Sequence, residues 1–349
     1  MFVEQIPVSK FSTRIGAPGL TSGLLLDEGL TPSIADTTCT DLAESSMSAT
    51  STDTWTNQDG HSSLEDCDAL TSGETLAEGE NANQAPDVRS VLSSRELAAV
   101  QALEGELGEG GIEAVRSILV AGEALESCFL RFLKPQNFRV RQAAKALKAH
   151  LAWCTVMKPA DLAELTPGEI CSCSDELLNE YMPTWHQGYD RQGRPVVFSH
   201  YGKFRFGPVL EAGVTVEKIL QLHVRNSEHT ARLCGKQSSK LGRDISTALI
   251  VIDAEGLDPT NLRHRGALEW MRGLAKIDQE HFPERLGQLL IINAPSCVQY
   301  FYNAASWILP QKARSLVRIF GGRETWEPVL LELVDSSELP LRYGGSRAR

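Results

Sequence analysis

The sequence contains neither a long apolar run nor a cluster of cysteines. Its longest uninterrupted apolar stretch is residues 248–252, whereas a helix needs about 20 residues to cross a bilayer. No stretch near the N terminus resembles the apolar core of a signal peptide. Of the eight cysteines only Cys171 and Cys173 are close, and their spacing differs from that of zinc and thioredoxin motifs. We therefore expect a cytoplasmic protein with reduced thiols, no membrane span and no bound metal.

Catalytic motifs are also missing. The sequence CGKQ at residues 234–237 has no Ser or Thr after its lysine, so it is not a phosphate-binding loop. His223 and His229 are six positions apart and belong to no zinc-helix motif, and no G-x-S-x-G turn occurs. The sequence therefore predicts no enzyme, no catalytic residue and no cofactor.

The net negative charge of the chain comes from its first quarter. Residues 1–86 carry 14 acidic and 2 basic side chains, whereas residues 87–349 carry 31 and 32. The nearly neutral remainder disfavours a nucleic-acid partner. Because residues 1–86 are rich in Ser, Thr and Gly and poor in apolar side chains, we expect a disordered acidic tail.

A small helical domain is predicted over residues 87–160. Ser93 and Glu96 have the spacing of a capping box at the start of a helix. The helical periodicities cover residues 88–107, 125–133 and 140–157. The last of these helices has a basic side, which is either a solvated face or a contact with anionic lipid headgroups. That side carries Arg139, Arg141, Lys145 and Lys148.

An α/β domain is predicted over residues 175–346. Asp190 and Gly193 have the spacing of a type I turn ahead of the first strand. Strands alternating with helices are typical of a partly parallel sheet with helices packed on it. The predicted strands are residues 196–199, 245–253, 288–293 and 317–320, and the predicted helices are residues 214–233 and 259–276.

A short amphipathic helix is predicted over residues 296–309, between the last two strands. Ser296 has the position of an N-cap and Pro310 ends the helix. Its apolar stripe either packs on the sheet or forms the door of an apolar cavity. The stripe consists of Val298, Phe301, Tyr302, Ala305, Ile308 and Leu309.

Five motifs resemble, in order and approximate spacing, those of the CRAL-TRIO family of lipid-transfer proteins. They are YDRQGRPVVF, LIVIDAEGL, FPERLGQLLIINAP, WILPQKARSLVRIFGG and ELPLRYGG. The resemblance covers about residues 122–345 and implies an α/β fold. In that fold a small N-terminal helical domain precedes a CRAL-TRIO lipid-binding domain, and the helix at residues 296–309 is the gate.

The resemblance also implies a headgroup site. It places Glu284 in a network that holds the headgroup of an inositol phospholipid; otherwise this carboxylate caps a turn or pairs with a neighbour. Ser246, Arg314 and Arg318 lie close by in sequence and are the other candidates for this site.

Three positions argue against an inositol phospholipid. By motif register, the family's two hydroxyl residues fall on Ala248 and Ile250, and its lysine falls on Leu316. None of these side chains donates a hydrogen bond, so we interpret all three as cavity lining. A neutral, more hydrophobic ligand such as phosphatidylcholine or a sterol is favoured, held chiefly by the burial of apolar surface at about 25 cal/mol per Å².

The resulting hypothesis is a cytoplasmic, peripherally membrane-associated protein that binds one lipid and transfers it between membranes. The gate helix would swing to exchange the lipid while the protein docks transiently on a bilayer. The alternative is a scaffold or regulatory module that keeps the fold while side chains fill its cavity. The sequence names no protein partner.

Overall fold

The computed structural model describes residues 84–258, 260, 264–296, 298, 302 and 314–348. All of them lie in one compact unit, Asn57–Arg349. The unit combines helices with a five-stranded sheet, which confirms the predicted α/β class. No helix in this part of the chain is long and apolar enough to span a membrane.

Three helices form the N-terminal part of the described chain. Helix α1 begins directly after Ser93, whose side chain completes a capping box with Glu96 as the sequence predicted. Residues 88–92 precede this cap, so the predicted helix starts later than expected. At Gly108 the backbone leaves helical geometry, with φ at 68°, and the helical turns then resume. The bounds are Ser94–Arg116 for α1, Leu125–Leu133 for α2 and Val140–Met157 for α3.

The three helices share an apolar core of their own. Phe129 and Leu133 of α2 are fully buried between Leu103 of α1 and Leu147 of α3. Helices α2 and α3 have the bounds that the periodicity predicted, because each buries one apolar stripe against the other two helices.

Among the described residues, six further helices with defined bounds and one short 3₁₀ turn lie between the N-terminal helices and the fourth strand, and a second 3₁₀ turn precedes α1. Helix α8 is longer than predicted and ends at Gly242, which adopts a left-handed conformation with φ at 63°. The bounds are Pro159–Ala163 for α4, Pro167–Cys171 for α5, Asp175–Tyr181 for α6, Phe206–Glu211 for α7, Val216–Leu241 for α8 and Arg265–His281 for α9. The 3₁₀ turns are Arg89–Val91 and Tyr201–Lys203.

The sheet follows the order of the chain, β1-β2-β3-β4-β5. Strand β1 is antiparallel to β2, and the other three pairs are parallel. The bounds are Thr184–Tyr189 for β1, Pro195–His200 for β2, Ala248–Asp253 for β3, Leu286–Ile292 for β4 and Val317–Ile319 for β5. A last helix, α10, covers Arg323–Leu333, and a 3₁₀ turn covers Leu341–Tyr343.

The sequence did not predict the short helices α4 to α7, the strand β1 or the helix α10. The sequence of β1, TWHQGY, does not alternate apolar and polar residues, so it lacks the usual signal of a strand. In the structure each of its residues is half-buried. Helix α10 contains Pro328, which interrupts the helical signal in the sequence. The predicted helix at residues 259–276 corresponds to α9 but ends later, at His281, and Pro259 lies outside the described residues.

One face of the sheet packs against α10 and the C-terminal segment. Leu249, Val251, Leu290 and Ile292 of the central strands have no exposed surface on this face. Trp326 of α10 and Tyr343 are among the side chains that cover them.

Gly235 of helix α8 packs directly against the backbone of the turn that precedes α2. A Cβ atom on Gly235 would lie 2.0 Å from the backbone oxygen of Ala121, so only glycine fits. The N-terminal helices are thereby held against the longest helix of the α/β part.

We predict that Gly235→Ala lowers the free energy of unfolding by about 2 kcal/mol, because backbone atoms must separate to admit the methyl group. Urea denaturation followed by circular dichroism measures the change. The control is Gly110→Ala in α1, where no atom lies within 4 Å of the new Cβ. There alanine should leave stability unchanged or raise it. Equal effects of the two substitutions would contradict the prediction.

Candidate ligand-binding site

The second face of the sheet carries two continuous rows of side chains that cross all five strands. Cα partners in neighbouring strands share a face, so the pairing register defines each row. We call these ten residues the floor. The first row is His186, Val197, Ile250, Leu289 and Val317, and the second is Thr184, Ser199, Ile252, Ile291 and Ile319.

The floor over strands β3 to β5 is apolar and incompletely covered. Ile250, Ile252, Leu289 and Ile291 are half-buried, although they lie on the two central strands. On the opposite face of the same strands, Leu249, Val251, Leu290 and Ile292 have no exposed surface. Protein interiors are close-packed, so accessible surface on large apolar side chains at the centre of a sheet indicates a space beside them. We call this part of the floor, which also includes Val317 and Ile319, the apolar end.

The floor over strands β1 and β2 is polar, and α8 lies against it. Thr184 and Ser199 bring their hydroxyl oxygens within 3.1 Å of each other. His186 Nε2 lies 2.8 Å from Thr230 Oγ1 of α8, and its ring packs edge-on against that of His229 with centroids 4.7 Å apart. Burial, followed by the neighbouring His229, holds the pKa of His186 well below its usual value. We call these five residues the polar end.

The turn before β4 is fixed by a buried ion-pair triad. Glu123 accepts hydrogen bonds from Arg131 of α2 and from Arg285, each at 2.8 Å. All three side chains are nearly inaccessible to solvent. Burial alone would raise the pKa of the Glu123 carboxyl, but Arg131 and Arg285 together hold it below its usual value. The triad therefore joins the N-terminal helices to β4, which carries two of the six residues of the apolar end.

Of the headgroup candidates, Glu284 and Ser246 lie next to this triad. Glu284 is half-buried and has φ at 60°, an uncommon value for a residue other than glycine. The backbone oxygen of Ser246 accepts a hydrogen bond from Arg285 at 3.3 Å. Arg285 thus pairs with Glu123 and holds Ser246 near the turn, while a role for Glu284 and Ser246 in binding a headgroup stays a prediction.

The two arginine candidates lie elsewhere. Arg314 is exposed, and its backbone oxygen is 3.5 Å from the Tyr302 hydroxyl. Arg318 is exposed on β5, where its Cα partner is Leu290, so it lies on the face opposite the floor. Its guanidinium is 5.1 Å from the centre of the Phe320 ring.

The three lining candidates border the floor to different degrees. Ile250 belongs to the apolar end, and Ala248 lies two residues earlier on the same strand and is buried. Leu316 is half-buried just before β5, and its backbone oxygen accepts a hydrogen bond from Leu289. A lining role for Ala248 and Leu316 stays a prediction.

The predicted gate lies mostly outside the described residues. Val298 and Tyr302 are described and helical, whereas Phe301, Ala305, Ile308 and Leu309 are not described. On α3, the four predicted membrane contacts are all exposed, and no ion pair joins them to another described side chain. These four are Arg139, Arg141, Lys145 and Lys148.

Three of the sequence motifs meet at Asp253, which ends β3. Its carboxylate accepts hydrogen bonds from the Asn293 amide at 2.9 Å and the Tyr343 hydroxyl at 3.0 Å. Arg342 Nη2 lies 3.1 Å from the same carboxylate and 2.6 Å from that of Glu255. This junction ties the C-terminal segment to the carboxyl ends of the parallel strands.

The junction also contains three potential metal ligands, contributed by His200, Asp253 and Glu255. Arg342 Nη2 lies among them, 3.5 Å from His200 Nε2. The guanidinium thus provides the positive charge that a metal ion would bring, and we interpret this group as a structural ion-pair cluster.

Comparison with known proteins agrees with this geometry. Residues 179–345 match the family model described as the CRAL/TRIO domain. This part of the chain is a CRAL/TRIO domain. The domain contains all five strands and therefore the whole floor.

Curated relatives of the domain are plant lipid-transfer proteins. The chain is 28% identical over 251 residues to phosphatidylinositol/phosphatidylcholine transfer protein SFH12 of Arabidopsis thaliana. The aligned region covers 67% of the chain and 43% of that protein. It is 27% identical over 247 residues to SFH7 of the same plant, with the same coverage. The chain thus spans less than half the length of these relatives. The crystal structure of Sfh5 has a similar fold, with a TM-score of 0.57 at 16% identity over 74% of this chain and 89% of that one.

Sequence reasoning missed the polar end of the CRAL/TRIO domain. His186 and Thr230 are 44 positions apart, and only the fold brings them together. No local motif signals this pairing, because β1 itself was not predicted.

We predict that Glu123→Gln lowers the free energy of unfolding by about 3–5 kcal/mol, because it leaves two buried guanidinium groups without a counter-charge. Chemical denaturation measures the loss. The control is Glu327→Gln, which removes an exposed partner of Arg323 on α10 and should change stability little. The prediction fails if both variants are equally stable.

A second prediction concerns pH and the contact between α3 and α9. The rings of Trp153 and His281 stack with their centroids 3.9 Å apart, and the ring of His150 stacks on that of His281 with centroids 5.6 Å apart. Burial, and then Arg131, lowers the pKa of His150 to about 3; burial, and then Lys276, lowers that of His281 to about 4. The unfolded chain therefore binds more protons than the folded protein below the ordinary histidine pKa of 6.5.

Stability should accordingly fall as the pH is lowered from about 7 to about 5, and the double variant His150→Phe/His281→Phe should show a shallower decline. Urea midpoints measured across this range test both statements. The same slope in the variant and the parent protein would show that these two histidines are not responsible.

Proposed function

We propose that this protein binds one lipid between the floor and the segment that joins β4 to β5, and that it transfers this lipid between membranes. The observation that carries the proposal is the half-buried apolar end of the floor. Four large aliphatic side chains keep accessible surface there, and covering them with an acyl chain or ring system gains about 25 cal/mol per Å².

The relatives support the same function. SFH12 and SFH7 are phosphatidylinositol/phosphatidylcholine transfer proteins by name. Transfer requires no bond to be made or broken, so a protein without a catalytic constellation suffices for it. A lipid with little net charge, such as phosphatidylcholine or a sterol, fits the apolar end better than an inositol phospholipid, since burying an unpaired phosphate is costly.

Transfer also requires access to a bilayer. The helix predicted at residues 296–309 follows β4 and is the proposed gate. The exposed basic side of α3 is a proposed contact with anionic headgroups, where each Lys or Arg near the surface contributes about 1 kcal/mol. The protein is accordingly proposed to be cytoplasmic and to associate peripherally with membranes.

The direct test is to identify what the purified protein carries. Denaturing mass spectrometry should find close to one lipid per chain. The protein should also move pyrene-labelled phosphatidylcholine from donor to acceptor vesicles. Absence of both stoichiometric lipid and transfer would contradict the proposal and favour a scaffold module.

Variants that fill the apolar end sharpen the test. Ile250→Trp and Ile291→Trp add bulk where the ligand is proposed to lie, and each should reduce bound lipid and transfer by at least about tenfold. The control, Leu341→Trp, adds an indole at a position that is 64% exposed and should change neither. Wild-type transfer by the two floor variants, at unchanged thermal stability, would place the lipid elsewhere.

A further inference from the structure

Helix α9 packs tightly along one side. Trp270 is buried against Phe204 and Phe206, with ring centroids 5.9 and 5.5 Å away. Gly273 brings the helix close to α8, since a Cβ atom there would lie 2.5 Å from a methyl carbon of Leu220. The inner side of α9 therefore fixes the helix to the protein, and its outer side faces solvent.

The outer side of α9 combines aliphatic and basic side chains. Leu268 and Met271 are 39% and 38% exposed. Arg265, Arg272 and Lys276 are also exposed, and no described acidic side chain forms an ion pair with any of them. We call these five residues the outer patch.

The outer patch keeps aliphatic and acidic side chains apart. With 3.6 residues per turn, its three cations fall within about 40° of one another around the helix axis. The two aliphatic side chains flank this basic line on one side, and the exposed Glu269 flanks it on the other. A helix lying on an anionic bilayer has this order, because aliphatic groups enter the headgroup boundary while long basic side chains reach the lipid phosphates.

Arg265 has an electrostatically unfavourable position in α9. It is the first residue of the helix, and the first turn contains no acidic side chain. The N-terminal end of a helix carries partial positive charge, which favours acidic side chains and disfavours cations. A negatively charged surface beside this turn would offset that cost.

The outer patch begins at the same end of the sheet as the proposed gate. Strands β3 and β4 are parallel, so α9, which joins them, runs back and starts near their carboxyl ends. Trp270 accordingly packs against Tyr201, which directly follows the carboxyl end of β2. The predicted gate starts at Ser296, shortly after β4 ends. A bilayer in contact with the first turns of α9 would lie near the start of this segment.

The size of the outer patch favours a lipid surface over a protein. From Arg265 to Lys276 it extends about 17 Å along one helix. A stable protein interface takes about 20–30 residues on each partner. A bilayer is continuous, so separate basic surfaces such as the exposed side of α3 can contact the same membrane and add their contributions.

We infer that the outer patch of α9 docks the protein on bilayers that contain anionic lipids. Leu268 and Met271 enter the boundary between headgroups and acyl chains, and the three cations contact lipid phosphates. This inference rests on the proposed function and adds to it a second membrane-contact surface, on the helix that precedes β4.

The experiment uses the full-length protein and vesicles of two compositions, phosphatidylcholine alone and an equimolar mixture with phosphatidylserine. Co-sedimentation measures the bound fraction against lipid concentration, and the parent protein should prefer the anionic vesicles. Arg272→Gln should weaken this binding about fivefold, the effect of one basic side chain near an anionic surface. The double variant Leu268→Ser/Met271→Ser should weaken it about tenfold, because less apolar surface is buried in the bilayer.

Matched controls lie in the N-terminal helical part. Arg116→Gln removes an exposed arginine from α1, and Val91→Ser removes a valine that is 78% exposed on the first 3₁₀ turn. Each should change binding to the anionic vesicles by less than about twofold. Added salt should weaken binding of the parent protein more than that of Arg272→Gln, because salt screens the charge that this variant has lost.

Lipid content and transfer are measured on the same samples, so two failures can be told apart. Wild-type binding of both patch variants to anionic vesicles would overturn the inference, as would equal or absent binding of the parent protein to the two compositions. If the parent protein nevertheless carries and transfers lipid, the proposed function stands without this docking surface. Weakened binding of the patch variants, in a protein that carries and transfers no lipid, would support docking and contradict the proposed function.

Discussion

The structure depends on a sheet whose two faces are covered in different ways. Strands β3 and β4 pair with parallel strands on both edges, so each of their faces must be shielded from water. Close packing against α10 and the C-terminal segment fully buries the central side chains of one face. The floor is left with partial cover, and its aliphatic side chains remain half-buried. In the proposed function, a lipid covers that face in place of permanent side chains.

Two clusters of ion pairs stabilise the ends of the central strands. A sheet with one open face gains less from packing than a sheet covered on both sides. The triad of Glu123, Arg131 and Arg285 holds the entry to β4, and the cluster around Asp253 holds the exits of β2 and β3. Both groups are placed at strand ends, and neither occupies the floor. The floor thus stays free of buried charge, which would bind water and exclude a lipid.

How much the sequence reveals depends on the range of each interaction. Local rules predicted the Ser93 cap, the bounds of α2 and α3, and the buried strands β3 and β4, because periodicity and capping act within a few residues. The order of the motifs predicted the domain. The register between strands has no local signal, however, and register alone places His186 in the same row as Ile250. The triad likewise joins positions 162 residues apart.

The polar end also changes the meaning of the apolar residues on β3. The resemblance placed the family's hydroxyl residues on Ala248 and Ile250, and their replacement predicted a more apolar cavity that favours a neutral ligand. His186 lies in the row of Ile250 but two strands away, about 10 Å along the floor. Polarity is therefore relocated toward α8 as well as lost from β3.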